Sequence, residues 1–148
     1  MMVRAIATET KSIVFDLSPV QTAHLYGVNR GDSDKMVALV MKCAKAYQPS
    51  IIYIDEVEKI WPAKKKKAKK GQKTRKNDLG NPVRIKKTLT KWRAKWLTDD
   101  TRITLIGCTS EPHNGSKKDF KKFFDRSIYF PFPDYTTARL MWKKFIEE

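Results

Sequence analysis

Apolar and polar positions change their spacing along this chain, and the spacing separates helices from strands. Over residues 1–10 the apolar Met2, Val3, Ile6 and Ala7 recur at helical intervals, so the segment reads as the end of a helix. Residues 12–17 (SIVFDL) are rich in strand formers and give way to Ser18-Pro19, a helix-starting pair. Gly27 and Gly31 mark a loop. Asp32 or Ser33 then caps a helix over residues 34–47, with Met36, Val37, Val40, Met41, Ala44 and Tyr47 on one face. Pro49 ends that helix. Residues 50–54 (SIIYI) show no alternation, which predicts a strand covered on both sides.

The second half repeats the scheme. Residues 61–80 are a lysine-rich stretch (KKKKAKKGQKTRK at its centre) with no apolar face to bury, and read as a mobile loop. Residues 82–97 form a basic helix whose apolar positions are Val83, Ile85, Leu89, Trp92 and Trp96. Residues 102–109 (RITLIGCT) predict another apolar strand, and residues 110–118 a polar loop. Phe120, Phe123 and Phe124 belong to a short helix. Residues 127–130 predict a further central strand, closed by Pro131 and Pro133. Asp134 caps a last helix over residues 135–147. Helices alternating with apolar strands imply an α/β domain with a parallel sheet flanked by helices. Ligands in such sheets sit beyond the carboxyl ends of the strands, where Asp55, Glu56, Thr109 and Ser110 all fall.

Composition narrows the classes. At 148 residues, with 41% apolar and 11% aromatic side chains, the chain suits one folded domain. No run of eighteen apolar residues suggests a membrane span, and residues 1–10 lack a signal-peptide core. Cys43 and Cys108 lie far apart in apolar segments and read as small buried hydrophobes in a reducing compartment. His24 and His113 are isolated, so no metal cage is expected from them. The net charge of +15 is uneven: residues 62–81 hold eight lysines and one arginine against one aspartate, a net +8.

The run PSIIYIDEVEKIWP carries the clearest chemistry. Four apolar strand formers, Ile51 to Ile54, end in Asp55 and Glu56. IIYIDE resembles the Walker B element of AAA+ ATPases. That resemblance implies that Asp55 holds magnesium, usually through water, and that Glu56 acts on the water attacking the terminal phosphate of ATP. Further similarities follow in AAA+ order. RITLIGCTSEP resembles the sensor-1 strand, with Ser110 in the place usually held by asparagine. FFDRSIYFPFPD resembles the segment that presents an arginine finger to a neighbouring subunit. Arg126 matches its second arginine, while Phe123 stands where the first is usual. LYGVNRGDSDK occupies the place of an aromatic substrate-gripping loop, with Tyr26 either gripping substrate or anchoring its own loop.

The run PDYTTARLMW (Pro133, Asp134, Tyr135, Arg139, Leu140, Trp142) is similar to one branch of the superfamily. That branch combines an IQ motif with an AAA domain and supplies a subunit of the nexin–dynein regulatory complex of motile cilia. The resemblance implies a partial AAA+ (P-loop NTPase-like) large subdomain over residues 1–148, with a mobile insert at 62–81. It also implies a place in the axoneme, within the cytoskeleton of the cilium or flagellum, beside other subunits of that complex. No GxxxxGK[ST] pattern occurs. By family order the chain is expected to start after the Walker A loop, without the first central strand of the sheet. Three functions compete. The first is nucleotide machinery, with Mg and ATP engaged only in a complete protein, as an active remodeller or otherwise. The second is an axonemal scaffold that regulates dynein-driven beating and touches acidic tubulin tails between Lys64 and Lys76. The third, nucleic-acid binding, is disfavoured because the aromatics lie on core faces rather than among the lysines.

Overall fold

A computed structural model of the chain describes residues 2–22, 25, 31–63, 81–98 and 100–147. In chain order the elements are α1 (Met2–Thr10), β1 (Ile13–Asp16), α2 (Pro19–Thr22), α3 (Asp32–Ala46), β2 (Ser50–Ile54) and α4 (Val57–Ile60). A 3-10 turn (Pro82–Arg84) leads into α5 (Ile85–Trp96) and then β3 (Ile103–Gly107). A second 3-10 turn (Pro112–Asn114), α6 (Lys117–Phe123) and α7 (Tyr135–Glu147) complete the chain. The three strands pair in sequence order, all parallel. Ile13 stands opposite Ser50, and Ser50 opposite Ile103.

The middle strand shows why its sequence lacks alternation. In β2, Ser50, Ile51, Ile52 and Ile54 are all buried, so both faces need apolar cover. The helix α3 packs on β2, with Val37, Met41 and Ala44 in the core, and against α5, whose Ile85 and Leu89 join the same cluster, while α1 also contacts β2. The Ser50 hydroxyl donates to the Ala44 carbonyl at 2.8 Å, which ties the end of α3 to the start of β2. The Arg102 amide donates to Gln48 Oε1 at 2.8 Å, bringing the chain into β3 beside it.

The structure departs from the sequence reading at several places. The helix α3 begins at Asp32 with Gly31 as its unassisted N-cap. Asp32 and Asp34 lie in its first turn, where their charges favour the positive end of the helix dipole, and Ser33 is buried rather than capping. Trp61, grouped above with the lysine-rich stretch, is instead a core residue. Its ring lies 4.5 Å from that of Phe123 and 5.9 Å from that of Phe124. Pro62 and Ala63 are held too: Pro62 bridges to Gly115 and the Ala63 amide donates to the Asn114 carbonyl at 2.7 Å. The rest of the predicted insert, residues 64–80, lies outside the described residues, as do Tyr26 and Gly27.

The predicted strand at 127–130 does not form. Ile128, Tyr129 and Phe130 stand 77%, 83% and 60% exposed, and no strand among the described residues offers them a backbone ladder. A strand needs a neighbour to take its amides and carbonyls, so apolar sequence alone does not make one. The helix α7 forms as predicted, with Asp134 Oδ1 accepting the Thr137 amide at 2.9 Å, yet Leu140, Trp142, Phe145 and Ile146 remain exposed. Cys43 and Cys108 are free and half-buried rather than fully buried. No helix among the described residues is long and apolar enough to cross a membrane.

Candidate nucleotide site

The carboxyl ends of β1, β2 and β3 converge on a cavity of about 660 Å³. Its lining includes Asp16, Ser18, Tyr53, Asp55, Glu56, Cys108, Thr109 and Ser110. Parallel pairing causes this convergence. Because Tyr53 stands opposite Asp16 on one side and Ile106 on the other, the residues just beyond each strand emerge together. The Ile54 carbonyl accepts the Cys108 amide at 2.9 Å, and the Cys108 carbonyl accepts the Val57 amide at 3.1 Å. These bonds lock the turn after β2 to the end of β3, so that Asp55 and Ser110 share one cavity.

Asp55 sits in a small network. Its amide donates to Ser18 Oγ at 2.9 Å. The Ser18 hydroxyl in turn donates to Asp16 Oδ1, which also accepts the Ser18 amide at 2.8 Å. Ser18 is buried, so this chain of bonds satisfies a hydroxyl that would otherwise be costly to desolvate. Asp55 Oδ1 accepts the Glu56 amide at 2.9 Å, which fixes the carboxylate at the mouth of the turn.

Glu56 has a left-handed backbone, φ 50° and ψ 47°, at the start of α4. A β-carbon makes that conformation costly by roughly 1–2 kcal/mol, and such strain gathers at functional turns. Its carboxylate pairs with Lys59 Nζ at 2.6 Å. That hydrogen bond is the main reason the Lys59 ammonium holds its proton above the ordinary lysine value. Beneath the carboxylates, burial pushes the Tyr53 phenol upward, reinforced by the Cys108 thiol and the Asp55 carboxylate beside it. Burial likewise raises the Cys108 thiol. Thr109 Oγ1 donates to the buried Glu58 carboxylate and accepts the Glu111 amide at 3.2 Å, which steadies the loop carrying Ser110.

Of the residues singled out in the sequence, Asp55, Glu56, Thr109 and Ser110 meet in the cavity, whereas Arg126 does not line it. Arg126 lies exposed on the segment after α6. Sequence reasoning missed Asp16, Ser18 and Tyr53. Asp16 left a signal, since it ends the apolar run SIVF much as Asp55 ends SIIYI on the adjoining strand.

The donor set suits part of a magnesium–nucleotide group. Carboxylates and hydroxyls are hard oxygen donors, and magnesium in such sites commonly takes one or two carboxylates with water and phosphate oxygens. Among the described residues no group of three or more His, Cys, Asp or Glu side chains is placed to hold a metal by itself. Among the described residues no backbone cradle for phosphates lines the cavity, and the sequence has no GxxxxGK[ST] pattern.

Residues 1–132 match the model of the ATPase family associated with various cellular activities (AAA). The chain is 32% identical over 151 residues to dynein regulatory complex protein 11 of Mus musculus, covering 99% of this chain and 16% of that protein. It is 26% identical over 149 residues to the meiotic spindle formation protein mei-1 of Caenorhabditis elegans, covering 99% of this chain and 29% of that one. The crystal structure of the FIGL-1 AAA domain in complex with ADP superposes with a TM-score of 0.70 at 17% identity, over 97% of this chain and 42% of that chain. At that identity the likeness concerns the fold. The chain thus spans well under two thirds of each of these relatives.

Proposed function

This chain belongs to the AAA family of ATPases, and from that premise we propose that its cavity is the magnesium-and-water side of an ATP site. The observation that carries this reading is the meeting of Asp55, Glu56 and Ser110 in one cavity at the carboxyl ends of parallel strands. Magnesium, when bound with ATP, supplies charge neutralisation at the phosphates. Asp55 is the residue to hold the ion, with its carboxylate already pinned by the Glu56 amide. Glu56 orients the attacking water and accepts its proton, which requires its carboxylate to leave Lys59. Ser110 positions the phosphate or the water through one hydroxyl. Arg126, exposed and away from this cavity, is the candidate to reach a neighbouring subunit.

The likeness to dynein regulatory complex protein 11 supports a finer reading. In that reading the protein is a subunit of the nexin–dynein regulatory complex, sits in the ciliary or flagellar axoneme among the complex's other subunits, and regulates dynein-driven beating. Lysines between Lys64 and Lys76, outside the described residues, would touch tubulin there. A mechanical remodeller driven by ATP is the alternative. Glu56→Gln in the intact protein separates the two. The reading as an ATPase expects turnover to fall by about 10²–10⁴-fold while nucleotide binding persists. Equal turnover in the wild type and the variant would remove Glu56 from the mechanism. Binding without turnover in the wild type would favour the scaffold.

A further inference from the structure

The net positive charge of this protein is concentrated in one segment. Residues 62–98 contain fifteen lysines and arginines and one aspartate, a net +14 of the total +15; the remaining sixteen cations meet fifteen acids. Part of that segment is the helix α5, which carries no acidic residue at all.

Packing sorts the cations of α5 by face. Ile85 and Leu89 are buried in the core. Lys86 pairs with Asp119 at 2.8 Å and Arg93 with Asp125 at 2.6 Å, so these two face α6 and the turn after it. Lys87, Lys91 and Lys95 remain, exposed and spaced four residues apart along one stripe. Among the described residues no carboxylate forms an ion pair with any of the three. Each step along the stripe rises about 6 Å. Lys45 of α3 adds a fourth cation at its carboxyl end, with its ammonium 4.9 Å from the centre of the Trp96 ring.

We propose that this stripe is a docking surface for an acidic, glutamate-rich segment of another polypeptide. In an extended peptide, side chains on one face recur about every 6.6–6.8 Å, close to the rise between successive lysines of the stripe. Alternate carboxylates can therefore meet Lys87, Lys91 and Lys95 in turn without distorting either backbone. Nucleic acid fits less well. The nearby aromatic faces are taken: Trp92 and Trp96 pack edge to face at 4.6 Å, and Lys95 and Lys45 cover them. No free ring is left on the stripe for base stacking. Lysine ammoniums also give point charges rather than the planar fork that reads phosphate and base edges in pairs. The surface lies outside the nucleotide cavity and does not depend on nucleotide binding.

The test uses the whole chain and a fluorescein-labelled oligoglutamate peptide of about twelve residues, long enough to overlap the stripe, followed by fluorescence anisotropy at about 50 mM salt. Replacing Lys87, Lys91 and Lys95 by Gln is expected to weaken binding by about tenfold or more. Lys91→Glu alone should weaken it by several-fold, and circular dichroism reports whether each variant keeps its helices. Replacing Lys117, Lys118 and Lys121 of α6 by Gln removes the same charge and should change affinity by no more than about twofold. Equal losses from the two triple variants would reduce the effect to net charge and overturn the proposal. So would a loss confined to a variant with serine at the lysines from Lys64 to Lys76. Tighter binding of single-stranded DNA than of the peptide at the same salt would also overturn it.

Discussion

Glu56 illustrates how single residues shape the site. Its left-handed backbone is unfavourable for a side chain of its size, yet the turn is held by the Glu56 amide on Asp55 Oδ1 and the Val57 amide on the Cys108 carbonyl. The strain is local and the bonds that oppose it link two strands. Beneath this turn, Tyr53 and Cys108 both hold their protons more tightly than in the unfolded chain, chiefly through burial. The sign follows. The unfolded chain releases these protons first, so stability present at neutral pH is lost as pH rises past the ordinary thiol value of 9.0 and the ordinary phenol value of 10.0. Urea unfolding from pH 7 to about 11 should show this alkaline decline, and the pair Tyr53→Phe with Cys108→Ser should flatten it. An unchanged slope in the double variant would mean that other groups govern it.

Among the elements, β3 is tightly packed where it ends. Gly107, its last residue, lies beneath the Phe124 ring: a β-carbon there would come 2.5 Å from that ring and 2.8 Å from Val57. Gly107→Ala should therefore cost about 1–3 kcal/mol in unfolding free energy by forcing Phe124 or α4 to move. A loss well below that range would show that the ring shifts freely. The bounds of β2 and α7 were legible from apolar runs, turn residues and a capping aspartate, because those signals are local. The strand expected at residues 127–130 failed for a non-local reason. Its apolar pattern is sound, but no strand adjoins it among the described residues, and β-structure is decided between segments. Trp61 was misplaced for a similar reason. It abuts a lysine-rich run in sequence, but Phe120, Phe123 and Phe124 arrive from far along the chain to enclose it.

Across the whole molecule, chemistry and charge lie in separate places. The parallel sheet gathers Asp16, Asp55, Glu56 and Ser110 at its carboxyl edge, while α5 and the segment before it carry nearly all the excess positive charge. The acidic dyad was legible because it ends a buried strand. Its companions Asp16 and Ser18 emerged only once the register placed β1 beside β2. The central claim is that Asp55 holds magnesium for a nucleotide in this cavity. Its most direct test is titration of the intact protein with a fluorescent ATP analogue, with and without magnesium, against Asp55→Asn. The account predicts that magnesium strengthens binding in the wild type and that the variant loses about tenfold or more of that gain, with magnesium-free binding unchanged. An identical magnesium effect in both proteins would contradict it.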